Sequence, residues 1–371
     1  MNLIEAVEFL SNNYGTRNNM KAHGKIDKDF CLSSYMAFRY TYNDCEYFEG
    51  LTHSNFVPIR DEEKVLIADA NDIDKAIRAK VDGVLSRGKE VGIMLSGGMD
   101  SAIVASYLPK GTRAYTFCSE SGVFDEDLER SKKYCEKLGL RQRLIDITFD
   151  DFKLLTPVVM KRKGGPVHSI EPQIYKAAMA AKEDGVDIMM IGDGADYVFG
   201  GMDKILSKDW GYEEFIKRYY ALDPQRVLVN PKDMTEPFRP FRREDGCIDF
   251  LSFLDGMFVN ESYSSYQNAF LSAGMPYMDP YDDMKMAEPL DLVRIRRGES
   301  KYLIRQLYKM RFPDFEIPEK IPMPRPVDVI FKDWDGPKRD EFRKDIDMNL
   351  LTGNQKWQLW CAELFLNIYD K

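Results

Sequence analysis

The stretch from Val91 to Ser101 constrains the fold of this chain more than any other. The apolar run Val91–Leu95 has the composition of a buried strand, and Ser-Gly-Gly-Met-Asp-Ser at 96–101 turns the chain into a helix-forming segment, 101–108. Two adjacent glycines let a backbone pass close to a phosphate, and the first amides of the following helix point at the same place. Asp100 adds a carboxylate that can hold a divalent cation. The candidate phosphate-binding residues are Ser96, Gly97, Gly98 and Ser101.

Strand-like and helical stretches alternate on both sides of this loop. The patterns predict strands at 91–95, 113–118, 143–147 and 187–191. They predict helices at 72–85, with Asn71 or Asp72 as N-cap, and at 125–138, 173–183 and 355–368. Such alternation indicates an α/β fold, a parallel sheet with helices on its faces. After about residue 209 the patterns are mostly helical.

Composition excludes several classes of protein. The 371 residues include 52 basic and 61 acidic ones, for a net charge of −9, whereas a protein that wraps nucleic acid is normally basic. The six cysteines show no CxxC spacing and there are only three histidines, which disfavours a zinc site. Every apolar run is short and the N-terminus lacks a basic signal region. We therefore expect a cytoplasmic protein with neither nucleic acid nor membrane as a partner.

A second glycine-rich loop, Gly192–Gly201, follows the predicted strand at 187–191. It contributes Gly192, Asp193 and Asp196 as candidate ligand-binding residues. Such a loop occurs in many turns and is weak evidence alone. Because both loops leave predicted parallel strands, however, they can face one another at one edge of the sheet. This arrangement predicts that Asp100 and Asp196 share a magnesium ion.

Together these segments carry a family resemblance. Ser96–Ser101 resembles the pyrophosphate loop of ATP pyrophosphatases, the PP-loop. With Gly192–Gly201 it resembles the synthetase domain of the asparagine synthetase family, which includes β-lactam synthetases and lasso-peptide cyclases. Four further segments resemble the family in the right order over about residues 70 to 330: Asp127–Gly139, Met275–Asp279, Lys301–Arg305, and Phe312-Pro313 followed by Lys320.

The resemblance implies a PP-loop fold, also called adenine nucleotide α-hydrolase-like, that binds ATP and Mg²⁺. It implies a ligase that adenylates a substrate carboxylate, releases pyrophosphate, and transfers the acyl group to ammonia or an amine with loss of AMP. Lys320 and Lys301 would be the catalytic cations, with Arg305 in support. Lys301 and Arg305 are also four residues apart, the spacing of an ordinary basic helix face. Leu95 and Phe117, at two strand exits, would contact the adenine.

Residues 1–70 resemble the end of a lost amidotransferase domain and its connector, ahead of a synthetase domain at 71–371. Ser33–Tyr40 and Tyr47–Leu51 carry this resemblance. Position 2 is Asn, where glutamine-using relatives carry a nucleophilic cysteine. We therefore expect no glutaminase activity in this chain, and a separate protein could supply the ammonia.

Alternatives remain at this stage. Tyr197 stands where the family usually has Glu, which leaves open a subunit that binds ATP or a partner without turnover. A tRNA-modifying PP-loop enzyme belongs to another class, which typically brings a basic surface or paired cysteines. His168 either lines the acceptor pocket or is a structural loop histidine. The sequence names neither the acceptor nor the nitrogen donor.

Overall fold

The computed structural model describes residues 24–51, 53, 59, 61–320 and 323–370, without the side chains of residues 258 and 259. The first 23 residues of the predicted N-terminal segment lie outside this part of the chain. The strands are β1 Val65–Ile67, β2 Val91–Met94, β3 Arg113–Cys118, β4 Arg141–Asp146, β5 Ile188–Met190, β6 Tyr277–Met278 and β7 Met284–Met286. The helices of the first half are α1 Lys28–Phe38, α2 Ala70–Leu85, α3 Met99–Ala105, α4 Asp125–Leu138, α5 Phe149–Lys163 and α6 Glu171–Glu183.

The second half of the described chain is mostly helical, as expected. Its helices are α7 Ala195–Val198, α8 Asp203–Leu206, α9 Tyr212–Tyr219, α10 Pro224–Val227, α11 Phe250–Phe253, α12 Val259–Ala273, α13 Leu292–Arg296, α14 Tyr302–Arg311, α15 Val327–Ile330 and α16 Gly353–Tyr369. A π-helical turn, Leu254–Phe258, joins α11 to α12. None of the described helices is both long and apolar enough to cross a membrane.

The main sheet has the order β4-β3-β2-β5-β6, and all its pairings are parallel. β2 and β5 are buried along their whole length, as their Val, Ile and Met residues suit a sheet covered on both faces. The chain order reverses between β2 and β5, and ligands of such sheets bind beyond the carboxyl ends of the strands at that point. The predicted parallel sheet flanked by helices is confirmed.

Two hydrophobic clusters cover opposite faces of the sheet because side chains alternate along each strand. Met189 of β5 belongs to the cluster that contains α5, α6 and α16, together with Tyr35 of α1. Ile188 and Met190 belong to the cluster that contains α2, α3 and α14. A third cluster, rich in aromatic rings, lies around α9 and α11. The helices therefore hold β2 and β5 from both sides and leave their carboxyl ends accessible.

Several predicted boundaries differ from the structure. α2 begins at Ala70 because the carboxylate of Asp69 accepts the first amides, so neither Asn71 nor Asp72 is the N-cap. Helix α3, which follows the first glycine-rich loop, is Met99–Ala105 rather than 101–108. Strand β4 begins at Arg141 rather than Arg143. By contrast, the predictions at 113–118 and 125–138 match β3 and α4.

Helix α1 attaches the described part of the N-terminal segment to the end of the chain. Its Lys28 Nζ donates to Glu341 at 2.9 Å and to Asp370 at 3.0 Å. Buried side chains of α1 and α16 share one hydrophobic cluster. All six cysteines lie among the described residues, and they are free thiols. The N-terminal helix and the C-terminal helix thus form one packed unit behind the sheet.

Candidate functional site

A cleft opens at the carboxyl ends of β2, β3 and β5, where the order of the sheet reverses. It is lined by the predicted residues Leu95, Ser96, Gly98, Asp100, Ser101, Phe117, Gly192, Asp193, Asp196, Lys301, Arg305 and Lys320. Gly97 alone of the predicted site residues does not line it. The structure therefore brings the two glycine-rich loops and the distant basic residues to one place.

The first loop is held in shape by its own serine hydroxyls. Ser96 Oγ accepts the Gly98 amide at 3.1 Å and lies 2.9 Å from Ser101 Oγ. Gly98 is the N-cap of α3 and has no side chain to accept the first amides of that helix. These amides face the cleft without a competing side-chain acceptor, the condition that suits an anionic ligand.

Gly97 has a packing role instead. A Cβ atom at this position would lie 2.9 Å from the Cα of Asp127 and 2.9 Å from the Cβ of Arg130, both on α4. Only glycine allows the loop to approach α4 this closely. Gly97 thus lets the Ser96–Ser101 loop pack directly against α4.

The second loop touches the first through its backbone at Gly192. A Cβ atom on Gly192 would lie 2.9 Å from the amide nitrogen of Ser101 and 3.0 Å from the carbonyl carbon of Asp100. Backbone atoms cannot give way as a side-chain tip can, so a larger residue would push the loops apart. The hydroxyl of Tyr281 adds a hydrogen bond of 3.1 Å to the carbonyl oxygen of Asp100.

Lys301 joins the two loops electrostatically. Its Nζ lies 2.5 Å from Asp100 Oδ2 and 2.5 Å from Asp196 Oδ1, and the residue is only 5% exposed. Burial raises the pKa of Asp100, while the charge of Lys301 opposes this shift. Burial also acts to raise the pKa of Asp196, but the charges of Lys301 and Lys320 outweigh this effect and lower the pKa. An ammonium group therefore lies between two carboxyl groups that would repel each other if both were ionised.

The position of Lys301 depends on unusual backbone. Its φ is +52°, in the left-handed region, and it precedes α14 as the N-cap. A Cβ atom on Gly201 would overlap both Asp196 Oδ1 and Lys301 Cε, so glycine is needed where the lysine reaches the carboxylate. The expected helix face shared with Arg305 is not formed, because Lys301 is outside the helix. Arg305 Nε turns back to the carbonyl oxygen of Ser300 at 2.7 Å.

Lys320 approaches Asp196 from a different segment. Its Nζ lies 2.8 Å from Asp196 Oδ1 and also donates to the carbonyl oxygen of Gly201. The lysine is 37% exposed, in contrast to Lys301. Lys320 is therefore the accessible cation of this end of the cleft.

Asp279 is a structural support that the sequence analysis did not assign. Its carboxylate follows β6 and accepts the amides of Asp193 at 3.0 Å, Gly194 at 2.7 Å and Tyr281 at 3.0 Å. The Met275–Asp279 resemblance was the available signal, because β6 lies beside β5 and their exits are adjacent. Asp279 thereby holds the second loop in the cleft.

Ser262 and Arg130 also escaped sequence reasoning. Ser262 Oγ donates to Asp193 Oδ2 at 2.6 Å, and burial raises the pKa of Asp193 to about 7. Arg130 lines the cleft and donates from Nη1 to the carbonyl oxygen of Glu319 at 2.9 Å. Arg130 lies within the Asp127–Gly139 resemblance, which was the available signal, whereas no sequence signal connects Ser262 with the loops.

Tyr197 lies on the side of Asp196 that faces away from the cleft. Its ring contacts that of Tyr263 edge-on, with centroids 5.6 Å apart. Burial raises the pKa of Tyr197 well above its usual value. The position where the family usually has Glu is therefore occupied by a neutral phenol that packs on an aromatic neighbour.

Comparisons with known proteins find similar sequences for part of the chain. Residues 72–245 match the sequence model of the asparagine synthase family. Glutamine-hydrolysing asparagine synthetase 3 of Arabidopsis thaliana is 28% identical over 191 residues, which are 47% of this chain and 31% of that protein. Glutamine-hydrolysing asparagine synthetase 2 of Bacillus subtilis is 27% identical over 150 residues, 37% of this chain and 20% of that protein.

The matched part of this chain thus spans less than a third of the length of these two relatives. Among solved structures, a U34-tRNA thiolase of Methanococcus maripaludis is 16% identical with a TM-score of 0.27, over 68% of this chain and 83% of that one.

Proposed function

We propose that this chain, whose residues 72–245 match the sequence model of the asparagine synthase family, is an ATP-dependent, AMP-forming amide ligase. It activates a substrate carboxylate with ATP and joins the acyl group to ammonia or an amine. The observation that carries the proposal is the meeting of both glycine-rich loops with Lys301 and Lys320 in one cleft.

The reaction has two steps. An oxygen of the substrate carboxylate bonds to the α-phosphorus of ATP, and pyrophosphate leaves with the electrons of the broken P–O bond. The nitrogen of ammonia or an amine then bonds to the acyl carbon, AMP leaves with the C–O electrons, and the nitrogen loses a proton. Negative charge accumulates on the departing pyrophosphate in the first step. We expect the free amides at the start of α3 and the ammonium group of Lys320 to stabilise that charge.

Asp100 and Asp196 suit a magnesium ion in the kind of ligand they offer. Asp100 Oδ1 is buried and has no hydrogen-bond partner, so a donor oxygen is available. Among the described residues no group of three or more acidic, histidine or cysteine side chains could hold a metal. Magnesium is commonly held by one or two carboxylates plus substrate phosphates, which this pair can provide. When bound, the ion would neutralise charge on the phosphates.

Leu95 and Phe117 form the apolar part of the cleft at the ends of β2 and β3. Leu95 is buried, whereas Phe117 is half-buried and packs on Phe124 with ring centroids 5.9 Å apart. A flat base can lie on such a surface while its phosphates reach the Ser96–Ser101 loop. We assign the adenine to this end.

The test measures AMP and pyrophosphate release from ATP and Mg²⁺ with a panel of carboxylic acids. Ammonium, glutamine and simple amines are compared as nitrogen donors. Asp100→Asn and Lys320→Ala should reduce the rate on the order of 100-fold or more, the loss typical when a charge-stabilising group is removed. Lys344→Ala, at an exposed lysine paired with Asp340, should match wild type. Formation of ADP and phosphate would refute the mechanism.

A binding subunit without turnover is the second candidate, because Tyr197 stands where the family usually carries a glutamate. This candidate predicts that ATP binds while no acid in the panel gives AMP. Tyr197→Glu would then be the variant to assay, since it restores the usual residue. Acid-dependent AMP release by the wild-type chain would eliminate this candidate.

A further inference from the structure

Lys320 reaches the cleft at the end of an irregular segment, residues 312–320, which we call the strap. The whole strap lies among the described residues, and it contains neither a helix nor a strand. The regular backbone hydrogen bonds that fix such elements therefore do not hold it. Its position depends instead on contacts with neighbouring elements. One of these is at its end, where Lys320 Nζ lies 2.8 Å from Asp196 Oδ1.

Helix α4 holds the strap at two further points. Arg130 and Tyr134 are four residues apart and therefore lie on one face of this helix. The ring of Tyr134 stacks on that of Phe315, with centroids 5.6 Å apart. Arg130 Nη1 donates to the carbonyl oxygen of Glu319 at 2.9 Å. One helix face thus contacts the strap near its start and again one residue before Lys320.

The contact made by Arg130 connects the strap with the first loop. A Cβ atom on Gly97 would lie 2.9 Å from the Cβ of Arg130, so the loop packs directly on this part of α4. The second terminal nitrogen of Arg130, Nη2, donates to Glu126 on the same helix. Hydrogen bonds from a charged donor are stronger than neutral ones. Arg130 therefore fixes the backbone at Glu319 relative to the first loop.

The two ends of Lys320 are consequently held by different loops. Arg130 holds the backbone beside it, and Asp196 of the second loop holds its ammonium group. Ordering a lysine side chain costs conformational entropy, and a charge stabilises a transition state best when it is ordered before the reaction. Asp196 keeps Lys301 at 2.5 Å as a partner if Lys320 turns towards a phosphate.

We propose that Arg130 is a positioning residue, which holds the strap so that Lys320 reaches the departing pyrophosphate. The inference rests on the proposed function and adds to it a residue that acts through Lys320. Arg130 lines the cleft, but both of its terminal nitrogens already have partners, Glu319 and Glu126. This arrangement favours holding the strap over direct contact with a phosphate.

A double-mutant cycle tests whether Arg130 acts through Lys320. Arg130→Gln should lower kcat for AMP release about 10- to 100-fold, the range for losing a hydrogen bond from a charged group, while KM for ATP changes less. In the Lys320→Ala background the same substitution should change the rate less than about 3-fold, because the group that it positions is gone. Arg130→Lys should restore part of the rate. Effects of Arg130→Gln and Lys320→Ala that multiply would overturn the proposal.

Arg296→Gln is the matched control. Arg296 also donates to a backbone carbonyl, that of Leu206 at 3.1 Å, and pairs with an acid, Asp209 at 2.8 Å. It does not line the cleft, so its substitution should leave kcat at the wild-type value. An equal loss of kcat in Arg296→Gln would overturn the specific role of Arg130.

Proteolysis without ATP separates this proposal from the function on which it rests. Trypsin cleaves after lysine, so the rate of cleavage after Lys320, followed by mass spectrometry, reports how firmly the strap is held. That rate should be about 10-fold higher in Arg130→Gln than in wild type or Arg296→Gln, even if no acid gives AMP. Unchanged cleavage after Lys320 would overturn the proposal. Equal acceleration at exposed sites such as Lys344 would make Arg130 a general structural residue and would overturn it as well.

Discussion

Replacing Lys301 with methionine removes one charge from the centre of the site and keeps the length of the side chain. Asp100 and Asp196 would then face each other without the ammonium group that lies 2.5 Å from each. Removing one partner of a buried ion pair costs about 3–5 kcal/mol of unfolding free energy. We expect Lys301→Met to lose an amount in this range at neutral pH.

The loss should depend on pH. Without Lys301, burial and the neighbouring Asp196 act to raise the pKa of Asp100, so ionisation of Asp100 disfavours the native state at neutral pH. That penalty shrinks as the pH falls through and below about 4, the pKa of an unfolded Asp, because the acid is then protonated in both states. Urea unfolding of wild type and variant at several pH values measures the difference.

Magnesium gives a second readout. If Asp100 and Asp196 bind the ion, magnesium at ten times its dissociation constant should return about 1.4 kcal/mol to Lys301→Met. Lys163→Met is the matched control, because Lys163 is about as buried as Lys301. Its Nζ lies 3.3 Å from Glu171 Oε1, and this pair does not line the cleft. It should lose similar stability and show no magnesium response. Equal stability of Lys301→Met and wild type at neutral pH would refute the reasoning.

Two further substitutions test the contact between the two loops and an ion pair outside the cleft. Gly192→Ala should cost about 1–3 kcal/mol and reduce ATP turnover, because its Cβ would lie 2.9 Å from the Ser101 amide nitrogen. Gly83→Ala, inside α2 with open space around it, should instead gain about 0.5–1 kcal/mol, and equal effects would refute the backbone contact. Glu341→Gln should cost about 1–2 kcal/mol at neutral pH, since Arg339 holds the pKa of Glu341 at about 2. That difference should disappear as the pH falls from about 4.5 towards 2 in unfolding titrations; a constant difference would contradict it.

Periodicity and turn residues predicted much of the sheet, since β3 and α4 each carry a clear local pattern. Helix α5 was not among the predicted helices. It contains Pro157, which is atypical of a helix interior, and its N-terminal capping box uses Asp151 with Thr148 rather than the usual Glu or Gln. Local sequence signals were ambiguous there, and packing against α6 and α12 determines the helix.

The site residues on the loops were predictable because glycine and aspartate at strand exits have a local physical meaning. The bridge that Lys301 forms between Asp100 and Asp196 was not predictable from the sequence. It requires a left-handed backbone at a non-glycine residue and room left by Gly201, a hundred positions earlier in the chain. Ser262 and Asp279 are likewise defined by contacts that only the packed structure creates. Sequence reasoning thus located the loops and named Lys301, but it did not predict the contacts that hold the loops together.

The two ends of the cleft come from different parts of the chain. The Ser96–Ser101 and Gly192–Gly201 loops lie within the matched residues 72–245, whereas Lys301 and Lys320 lie outside them. The close backbone approach of the two loops at Gly192 tolerates little change. If the proposed function holds, acceptor binding would depend on side chains, which can change without disturbing that contact. Changes of substrate within this architecture should therefore concentrate in cleft-lining side chains outside the loops, such as Tyr266 of α12 and Met323, while the loops keep their glycines.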